Sequence, residues 1–468
     1  MSPSETEIEN RTYDEIEIGD TARLERRLTM DDIKLFAVMS GDVNPAHVDE
    51  DFAKSSRFQE IIAHGMWGGA LISTLLGTEL PGPGTIYLGQ TLRFKAPVVL
   101  GDVLTVTVEA TEKNDEKHRI RFHCLCRNQE GKTVIEGDAD VLAPTKKVRR
   151  PRAVMPQVRM AERRHLHELL EAASRPEPLP TAIVHPVDTQ SMLGALQAAR
   201  RGLIVPVFVG PEERIRSVAE EAGADLSEYE IVATRHSHAA AERAVALARE
   251  GAVGALMKGS LHTDELLHAA LHKEKGLRTE RRLSHVMAFD VPTYPRPLFI
   301  TDAAINIYPS LADKADIIRN AIELARAVRI ETPRVAILSA VETVNPRIAS
   351  TVEAAALCKM AQRGQIQGGI LDGPLAFDNA ISESAAHAKG IESEVAGRAD
   401  ILVAPDLEAA NMLVKQLTYL ADASGAGVVV GARVPIMLTS RADDAITRMA
   451  SCALALLLAD YQTRIDGD

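Results

Sequence analysis

Aromatic residues are scarce in this chain: Phe, Trp and Tyr make up 4% of 468 residues, with a single Trp. Its cores must be filled by Ala, Leu, Val and Ile, and no basic stretch is interleaved with aromatics for stacking nucleic-acid bases. Positive charge is also in deficit. The 53 Lys and Arg against 65 Asp and Glu leave a formal charge of −12, the wrong sign for a protein living on nucleic acid. Cysteine is rare, four in all, too few and scattered for a disulfide framework. Cys124 and Cys126 fall on one face of one strand, which is not the Cys-x-x-Cys spacing of a zinc or redox motif. Reduced thiols in a cytoplasmic protein are the expectation. No window reaches the ~18 continuous apolar residues of a membrane span, CALALLLA at Cys452–Ala459 coming nearest. The acidic, polar N-terminal stretch carries neither a secretory nor an organellar signal.

Nucleotide and metal motifs are missing too. Gly425, Gly427 and Gly431 miss the GxGxxG spacing by one residue, and Lys258-Gly259-Ser260 lacks the upstream glycine of a phosphate loop. His268 and His272 have helical spacing but no third ligand. No metal site is expected.

What is present divides in two. A length of 468 residues exceeds the roughly 250–300 at which single cores stop growing. From Lys146 to His167 eight Lys or Arg stand against one acidic residue, and prolines interrupt the run. With SRPEPLP at Ser174–Pro180 it reads as an inter-domain linker and lead-in, residues 146–180. Before it, Leu104–Ala110, Arg119–Cys126 and Thr133–Leu142 alternate like strands, and Gly65–Leu80 reads as a helix apolar nearly all round, buried on most sides. An α+β domain in which a curved sheet wraps that helix follows. After the linker, short apolar strands (Ala182–His185, Val205–Val209, Gly254–Met257, Arg334–Leu338, Gly369–Leu371, Ile401–Ala404, Gly427–Val430, Ile436–Thr439) alternate with Ala-rich helices such as Ala239–Glu250 and Pro346–Arg363. That pattern predicts an α/β domain with a mostly parallel sheet and sites at the carboxyl ends of its strands.

The first chemistry lies in SGDVNPAH, Ser40–His47. It follows a short helix, Asp31–Met39, capped by Thr29 and stopped by Gly41. Asn44-Pro45 forces a bend, so Asp42 and His47 stand on either side of it and could share a water as general acid and base. A cap-and-turn role is the plainer alternative. His64-Gly65-Met66 starts the buried helix, where free amides and the helix dipole would stabilise an oxyanion and Gly65 would admit a close approach. His64 reads equally as a hydrogen-bonded core or positioning histidine.

GDVNPAHVDEDFAKSSRFQEIIAHGMWGGALISTLLG, followed by GTIYLGQTLRFKAPVVLGDVLTV, closely resembles the R-specific enoyl-CoA hydratases of the MaoC-like, hot-dog-fold family. The likeness covers roughly Asp14 to Leu142. It implies a dimerising hot-dog fold, Asp42 and His47 as the catalytic pair activating water, and His64, Gly65 and Met66 as substrate-binding. Many relatives carry a serine a few residues into the helix, where this chain has Ala70. Acyl chain length would be set near Trp67, Ile86 and Tyr87.

In the second part, Asp372-Gly373-Pro374 and Phe377-Asp378-Asn379 follow one strand, and Thr439-Ser440-Arg441 with Asp443-Asp444 follow another. Serine and arginine at a helix N-terminus can form an anion site, or a plain cap with acidic first-turn residues. ILSAVETVNPRIASTVEAAAL, DGPLAFDNAIS and PIMLTSRADD resemble the phosphate acetyltransferase and phosphate butyryltransferase family, from about Leu166 to the end. The resemblance implies reversible acyl transfer between CoA and phosphate, with no metal and no covalent enzyme intermediate. Arg441 would then bind the phosphoryl group, Ser440 would assist at the carbonyl, and Asp444 would take the thiol proton, a short gap leaving Asp443 open for that role. Asp372 and Asn379 are the further substrate-binding candidates. A family arginine falls at Leu267, so phosphate would borrow Arg278, Arg281 or Arg282.

The expectation is therefore a bifunctional acyl-CoA enzyme. A hot-dog hydratase domain (1–145) precedes a two-lobed α/β phosphotransacylase domain (181–468), whose second lobe, about 282–428, is inserted between 181–281 and 429–468. Coenzyme A thioesters and phosphate are its substrates, with no tightly bound cofactor, no nucleic-acid or membrane partner, and a homo-oligomer, dimer or larger. The rival is a hydratase whose transferase half only senses CoA or assembles the protein.

Overall fold

Alternation of apolar and polar side chains between Leu104 and Leu142 can bury one face only by forming a sheet. The computed structural model describes residues 7–155, 158, 163–438 and 445–466. The chain falls into two units, Met1–Met160 and Ala161–Asp468.

The first unit contains β1 (Glu7–Glu9), β2 (Thr21–Arg27), α1 (Met30–Ser40), α2 (Pro45–Val48), α3 (Glu50–Ser55), α4 (Gly65–Thr78), β3 (Ile86–Gln90), β4 (Arg93–Phe94), β5 (Val103–Asn114), β6 (Arg119–Arg127), β7 (Thr133–Leu142) and β8 (Arg149–Pro151). Its main sheet is antiparallel, in the order β2-β5-β6-β7-β3, with β4 also on β7. Every second residue of β6 is buried, Cys124 and Cys126 among them, and burial raises both thiols to about 12. All four cysteines are free. The buried face closes on α4 through Trp67, Ile72, Leu75 and Leu76. Two small residues let the helix sit this close: a Cβ on Gly68 would lie 2.3 Å from Ile135 Cδ1, and one on Gly69 would lie 3.2 Å from Leu92. This is the hot-dog arrangement.

The first part of the basic run beyond residue 145 is drawn into the first unit. Its Arg149–Pro151 pairs as β8 with β1, because its cations meet the acidic start of the chain. Arg149 Nε donates to Glu7 at 2.7 Å, and Lys147 Nζ lies 2.9 Å from Glu15 and 3.2 Å from Glu9. Further along, Arg164–Ala172 is helical and Leu179 opens a strand, so parts of 146–180 belong to elements of the two units.

The second unit continues with α5 (Arg164–Ala172), β9 (Leu179–Val184), α6 (Thr189–Arg200), β10 (Ile204–Gly210), α7 (Glu212–Glu221), β11 (Glu230–Ala233), α8 (Ser237–Arg249), β12 (Ala255–Lys258), α9 (Thr263–Leu271), β13 (Ser284–Asp290), β14 (Leu298–Thr301), α10 (Leu311–Ala327), β15 (Arg334–Leu338), α11 (Ala349–Gln362), β16 (Ile370–Leu375), α12 (Phe377–Ile381), α13 (Glu383–Ala388), β17 (Ile401–Val403), α14 (Leu407–Leu420), β18 (Ser424–Val430), β19 (Ile436–Met437) and α15 (Ala445–Asp466). One sheet runs β11-β10-β9-β12-β19-β18-β13-β14-β17-β15-β16. It is mostly parallel, the antiparallel pairings being β13–β14, β13–β18 and β18–β19. The six strands that lie between Ser284 and Val430 occupy adjacent places at one end of it. Among the described residues no helix is long and apolar enough to cross a membrane.

Candidate functional site

In the first unit the site begins with a helix stop. α1 ends at Gly41, whose φ of 76° is the left-handed turn glycine supplies without strain. Asn44 then caps α2, its Oδ1 accepting from the Ala46 amide at 3.1 Å, with Pro45 in the first helical turn. Between them Asp42 is exposed, its Oδ1 accepting from the Asn44 amide at 3.2 Å. His47 is half-buried, and its Nδ1 lies 2.8 Å from the Ile62 carbonyl oxygen. A carbonyl only accepts, so Nδ1 carries the proton and Nε2 of the neutral ring keeps its lone pair.

His64, immediately before α4, is 3% exposed. Its Nε2 donates to the backbone carbonyl of Asp42 at 2.9 Å, while Nδ1 has no partner. The His64 ring stacks at 4.0 Å on that of His47 and at 4.9 Å on that of Phe36. The side-chain donors of Asp42, His47 and His64 all lie within 4.8 Å of one another, the one such group among the described residues. With His47 Nδ1 and His64 Nε2 already spent on carbonyls, what remains is a carboxylate, His47 Nε2 and a buried His64 Nδ1. That set suits proton transfer better than the three converging ligands of a zinc site.

His47 and His64 of this group line a cleft of about 300 Å³, together with Trp67, Gly68, Phe94, Ile135, Arg57 and Lys95, among others. Gly65 and Met66 open α4, where backbone amides have no intrahelical acceptor and the helix dipole favours negative charge. Gly65 is close-packed as well: a Cβ there would lie 2.9 Å from the Phe94 ring. The Met66 side chain is 56% exposed and does not line the cleft, and neither do Ile86 and Tyr87 on edge strand β3. Ala70 is exposed on the outer face of α4. Of the three residues expected to set chain length, only Trp67 borders this cleft. The bridge from His64 to the Asp42 carbonyl was not foreseen. A histidine just ahead of an apolar helix, 22 residues after Asp42, was its only trace.

In the second unit the chain leaves β9 for β10 on one side and later returns to place β12 on the other. The carboxyl ends of β9 and β12 thus flank a topological switch point. Ser260 Oγ donates to Asp188 Oδ2, Asp188 Oδ1 takes the Ser191 amide at 2.9 Å, and the Val187 amide donates to Ser260 Oγ at 3.2 Å. Burial alone would raise the Asp188 pKa, but the hydrogen bonds from Ser260, Ser191 and the Gln190 amide together carry it below the usual carboxylate value. Gly259 lets the two loops touch, since a Cβ there would lie 2.5 Å from the Val184 carbonyl oxygen. Lys258 Nζ reaches the Gly259 and Leu261 carbonyls at 3.2 and 3.3 Å. Register pairs Leu256 with Ile436 and Met257 with Met437, so Lys258 falls opposite Leu438. Ser440, Arg441, Asp443 and Asp444 lie outside the described residues.

The borrowed-arginine idea fares unevenly. Leu267 packs into an apolar cluster. Arg281 is paired with Glu323, and Arg282 donates to Asn306 at 2.8 Å and lies 3.5 Å from Asp313. Arg278 is exposed and makes no ion pair among the described residues. Asp372 sits on β16, accepting its neighbour Gly373's amide at 2.8 Å, and Asn379 on α12 is 1% exposed with neither side-chain polar atom partnered. β16 is six strand steps from β19, roughly 29 Å along the sheet at ~4.8 Å per step.

One polar centre was missed. Asp302, 4% exposed, follows β14 and accepts the amides of His285, Ala304, Ile305 and Asn306 at 3.0–3.1 Å. Burial drives the pKa of His285 down against the opposing pull of Asp302. An aspartate directly after the apolar run Leu298–Thr301 was the available signal.

Comparison with known proteins separates the same two regions. Residues 233–456 match the family model described as phosphate acetyl/butaryl transferase, and residues 15–124 match a MaoC like domain. The chain is 61% identical over 294 residues to a phosphate acetyltransferase of Rhizobium meliloti, covering 63% of this chain and 93% of that protein. A branched-chain phosphotransacylase structure from Enterococcus faecalis is 30% identical, covers 60% of this chain and 99% of its own, and superposes with a TM-score of 0.53. An R-hydratase, PhaJ1, from Pseudomonas aeruginosa is 46% identical over 33% of this chain and 99% of its own, with a TM-score of 0.32.

Proposed function

Because the chain belongs to the phosphate acetyl/butaryl transferase family and carries a MaoC-like domain in its first unit, we propose that it joins two reactions of CoA thioesters. The first unit adds water reversibly to a trans-2-enoyl-CoA, giving an (R)-3-hydroxyacyl-CoA, and the second exchanges the acyl group of an acyl-CoA with phosphate. Acyl transfer is the activity of the family itself. An identity of 61% to a phosphate acetyltransferase weighs against a transferase half kept only for sensing or assembly.

The observation that carries the hydratase reading is the pairing of Asp42 with a His47 whose Nε2 is left as an acceptor, beside the start of α4. Water held between Asp42 and His47 loses a proton to Nε2 as its oxygen bonds the β-carbon. The electron pair moves through the α-carbon to the thioester oxygen, which the Gly65 and Met66 amides stabilise. The enolate then collapses as the α-carbon takes a proton from the same acid–base pair. His64 fixes the bend through the Asp42 carbonyl. The test is the fall in enoyl absorbance of crotonyl-CoA: Asp42→Asn and His47→Gln each lower kcat by at least a hundredfold, in the range of general acid–base contributions. Full hydration by either variant would overturn the assignment.

For the transferase, Arg441 holds phosphate, Ser440 assists at the carbonyl, and Asp444 or Asp443 accepts the CoA thiol proton, with Asp372 and Asn379 left for the outer part of CoA. Lobes of 181–281 with 429–468 and of 282–428 flank the cleft. Substrates are CoA thioesters and phosphate without a tightly bound cofactor, in a cytoplasmic homo-oligomer. Thiol release from butyryl-CoA and phosphate decides: Ser440→Ala together with Arg441→Ala abolishes it, and an unchanged rate would sink this site.

A further inference from the structure

We propose that the second unit binds an anionic amphiphile, an aliphatic chain of medium length ending in a carboxylate or phosphate, in a cavity built from α5, α10, α15 and the β13–β14 connection. The cavity holds about 320 Å³, room for roughly ten heavy atoms at the ~30 Å³ share of one water molecule. Its walls are apolar, with Leu166 and Leu169 from α5, Phe289 and Phe299 from the sheet, Val328 past the end of α10, and Leu454 from α15. None of these belongs to the loops that carry the proposed transfer chemistry.

The charges at the rim decide what kind of ligand fits. Six ionisable side chains line the cavity: His165, Glu168, Glu171, Arg175, Asp290 and Arg329. Most of the negative charge is already committed. Asp290 Oδ2 accepts the His165 and Leu166 amides at 2.8 and 3.1 Å, closing the start of α5. Glu168 pairs with Arg164 at 2.8 Å and with the His165 ring at 3.3 Å. Arg175 and Arg329 make no ion pair or side-chain hydrogen bond among the described residues, which leaves two guanidiniums against the single carboxylate of Glu171. Arg329 also stands at a backbone φ of 72° just past α10, where glycine closes a helix without penalty and an L side chain is strained. A cation is kept at the mouth of an apolar chamber in a position that would be relieved by losing its side chain. Apolar walls with a few polar groups are the make-up of small-molecule sites, and a guanidinium without a carboxylate partner takes a planar or tetrahedral oxyanion.

The test is calorimetric titration of the full chain with octanoate, octyl phosphate and octanol, while the emission of Trp67 in the first unit's cleft is followed. Expected is one octanoate or octyl phosphate per chain with no change at Trp67. Arg175→Gln or Arg329→Gln should weaken binding at least fivefold, Ala172→Phe should abolish it by filling the cavity, and acyl transfer should persist in all three. The tighter of the two anions identifies the head group. Absence of binding, equal binding of octanol, or binding unaffected by both arginine variants would overturn the proposal, the last with Trp67 quenching locating the amphiphile in the first unit.

Discussion

Substituting Gly68 by alanine should destabilise the first unit even though alanine is the better helix former. In an open helix interior the exchange would stabilise by about 1 kcal/mol. Here the new Cβ would meet Ile135 Cδ1 at 2.3 Å, with Ile135 Cγ1 at 3.7 Å and Leu104 Cδ2 at 3.9 Å, both ordinary contacts. The conflict is with one methyl group, but Ile135 is 2% exposed and has no solvent to swing into. Overpacking of this kind costs about 1–3 kcal/mol, so a net loss of about 1 kcal/mol is expected. Ile135→Val removes that methyl and alone costs about 1 kcal/mol. In the double variant the helix gain survives without the clash, so it should match the parent, a coupling of about 2 kcal/mol between the two sites. The single Trp of the chain, Trp67, adjoins Gly68 and is 7% exposed. Urea unfolding followed by its fluorescence therefore reads the first unit alone, the shift in midpoint multiplied by m giving each difference. Since Gly68 and Ile135 both line the cleft, crotonyl-CoA hydration should fall in Gly68→Ala and recover in the pair. A Gly68→Ala protein as stable as the parent, or a coupling below about 0.5 kcal/mol, would refute the packing argument.

Lys314 is 4% exposed and its ammonium is held by Glu353 across α10 and α11. Glu353→Ala should cost the second unit about 3 kcal/mol by stranding that charge, whereas Lys314→Met with Glu353→Leu should recover most of it, both read by calorimetric unfolding. His285 has its folded pKa depressed by burial, so the unfolded chain binds the extra proton. Its contribution is complete above the unfolded value of about 6.5 and is lost as pH falls below it toward the folded value; His285→Gln should flatten the pH 5–6.5 part of the second unit's stability profile. At the first unit's cleft, Lys95 is tied to Glu136, while Arg57 lies 4.5 Å from the Phe58 ring centroid and makes no ion pair among the described residues. Arg57→Gln should raise KM for crotonyl-CoA about fivefold at low salt, for about 1 kcal/mol of exposed charge pairing, with kcat unchanged and the difference vanishing in 0.5 M salt.

Local patterns were read well from the sequence. Thr29, Gly41 and the Asn44-Pro45 bend stand where capping and turn chemistry put them, and β5, β6 and β7 follow the alternating runs within a few residues. β2, whose TARLERR lies mostly exposed on the edge of its sheet, has too few apolar residues to announce a strand. β11, β13 and β14 were overlooked as well. For β13 the histidine and aspartate of SHVMAFD break the apolar run, although both side chains are buried there. Long-range charge pairing is hidden in another way: the cations near 149 find their acidic partners about 140 residues away in the chain. No window of sequence shows such a pair.

The same difference in span separates the two sites. Asp42, His47, His64 and Gly65 fall within one short stretch, so a bend, a helix start and two histidines could be read together. The second unit's loops converge only through the sheet: Asp188 meets Ser260 because β9 and β12 are neighbours, and Lys258 faces Leu438 because β12 and β19 share a register. A motif reports such a site only in fragments. The acidic surface follows from this division of labour. Lys147, Arg149 and Arg152 are consumed by Glu15, Glu7 and Glu79, so these three cations of the basic run serve architecture. Of the cations lining the first unit's cleft, Lys95 is held by Glu136 and Arg57 makes no ion pair among the described residues, so one exposed charge is what that cleft keeps for an anionic ligand, and its pull fades as salt screens it.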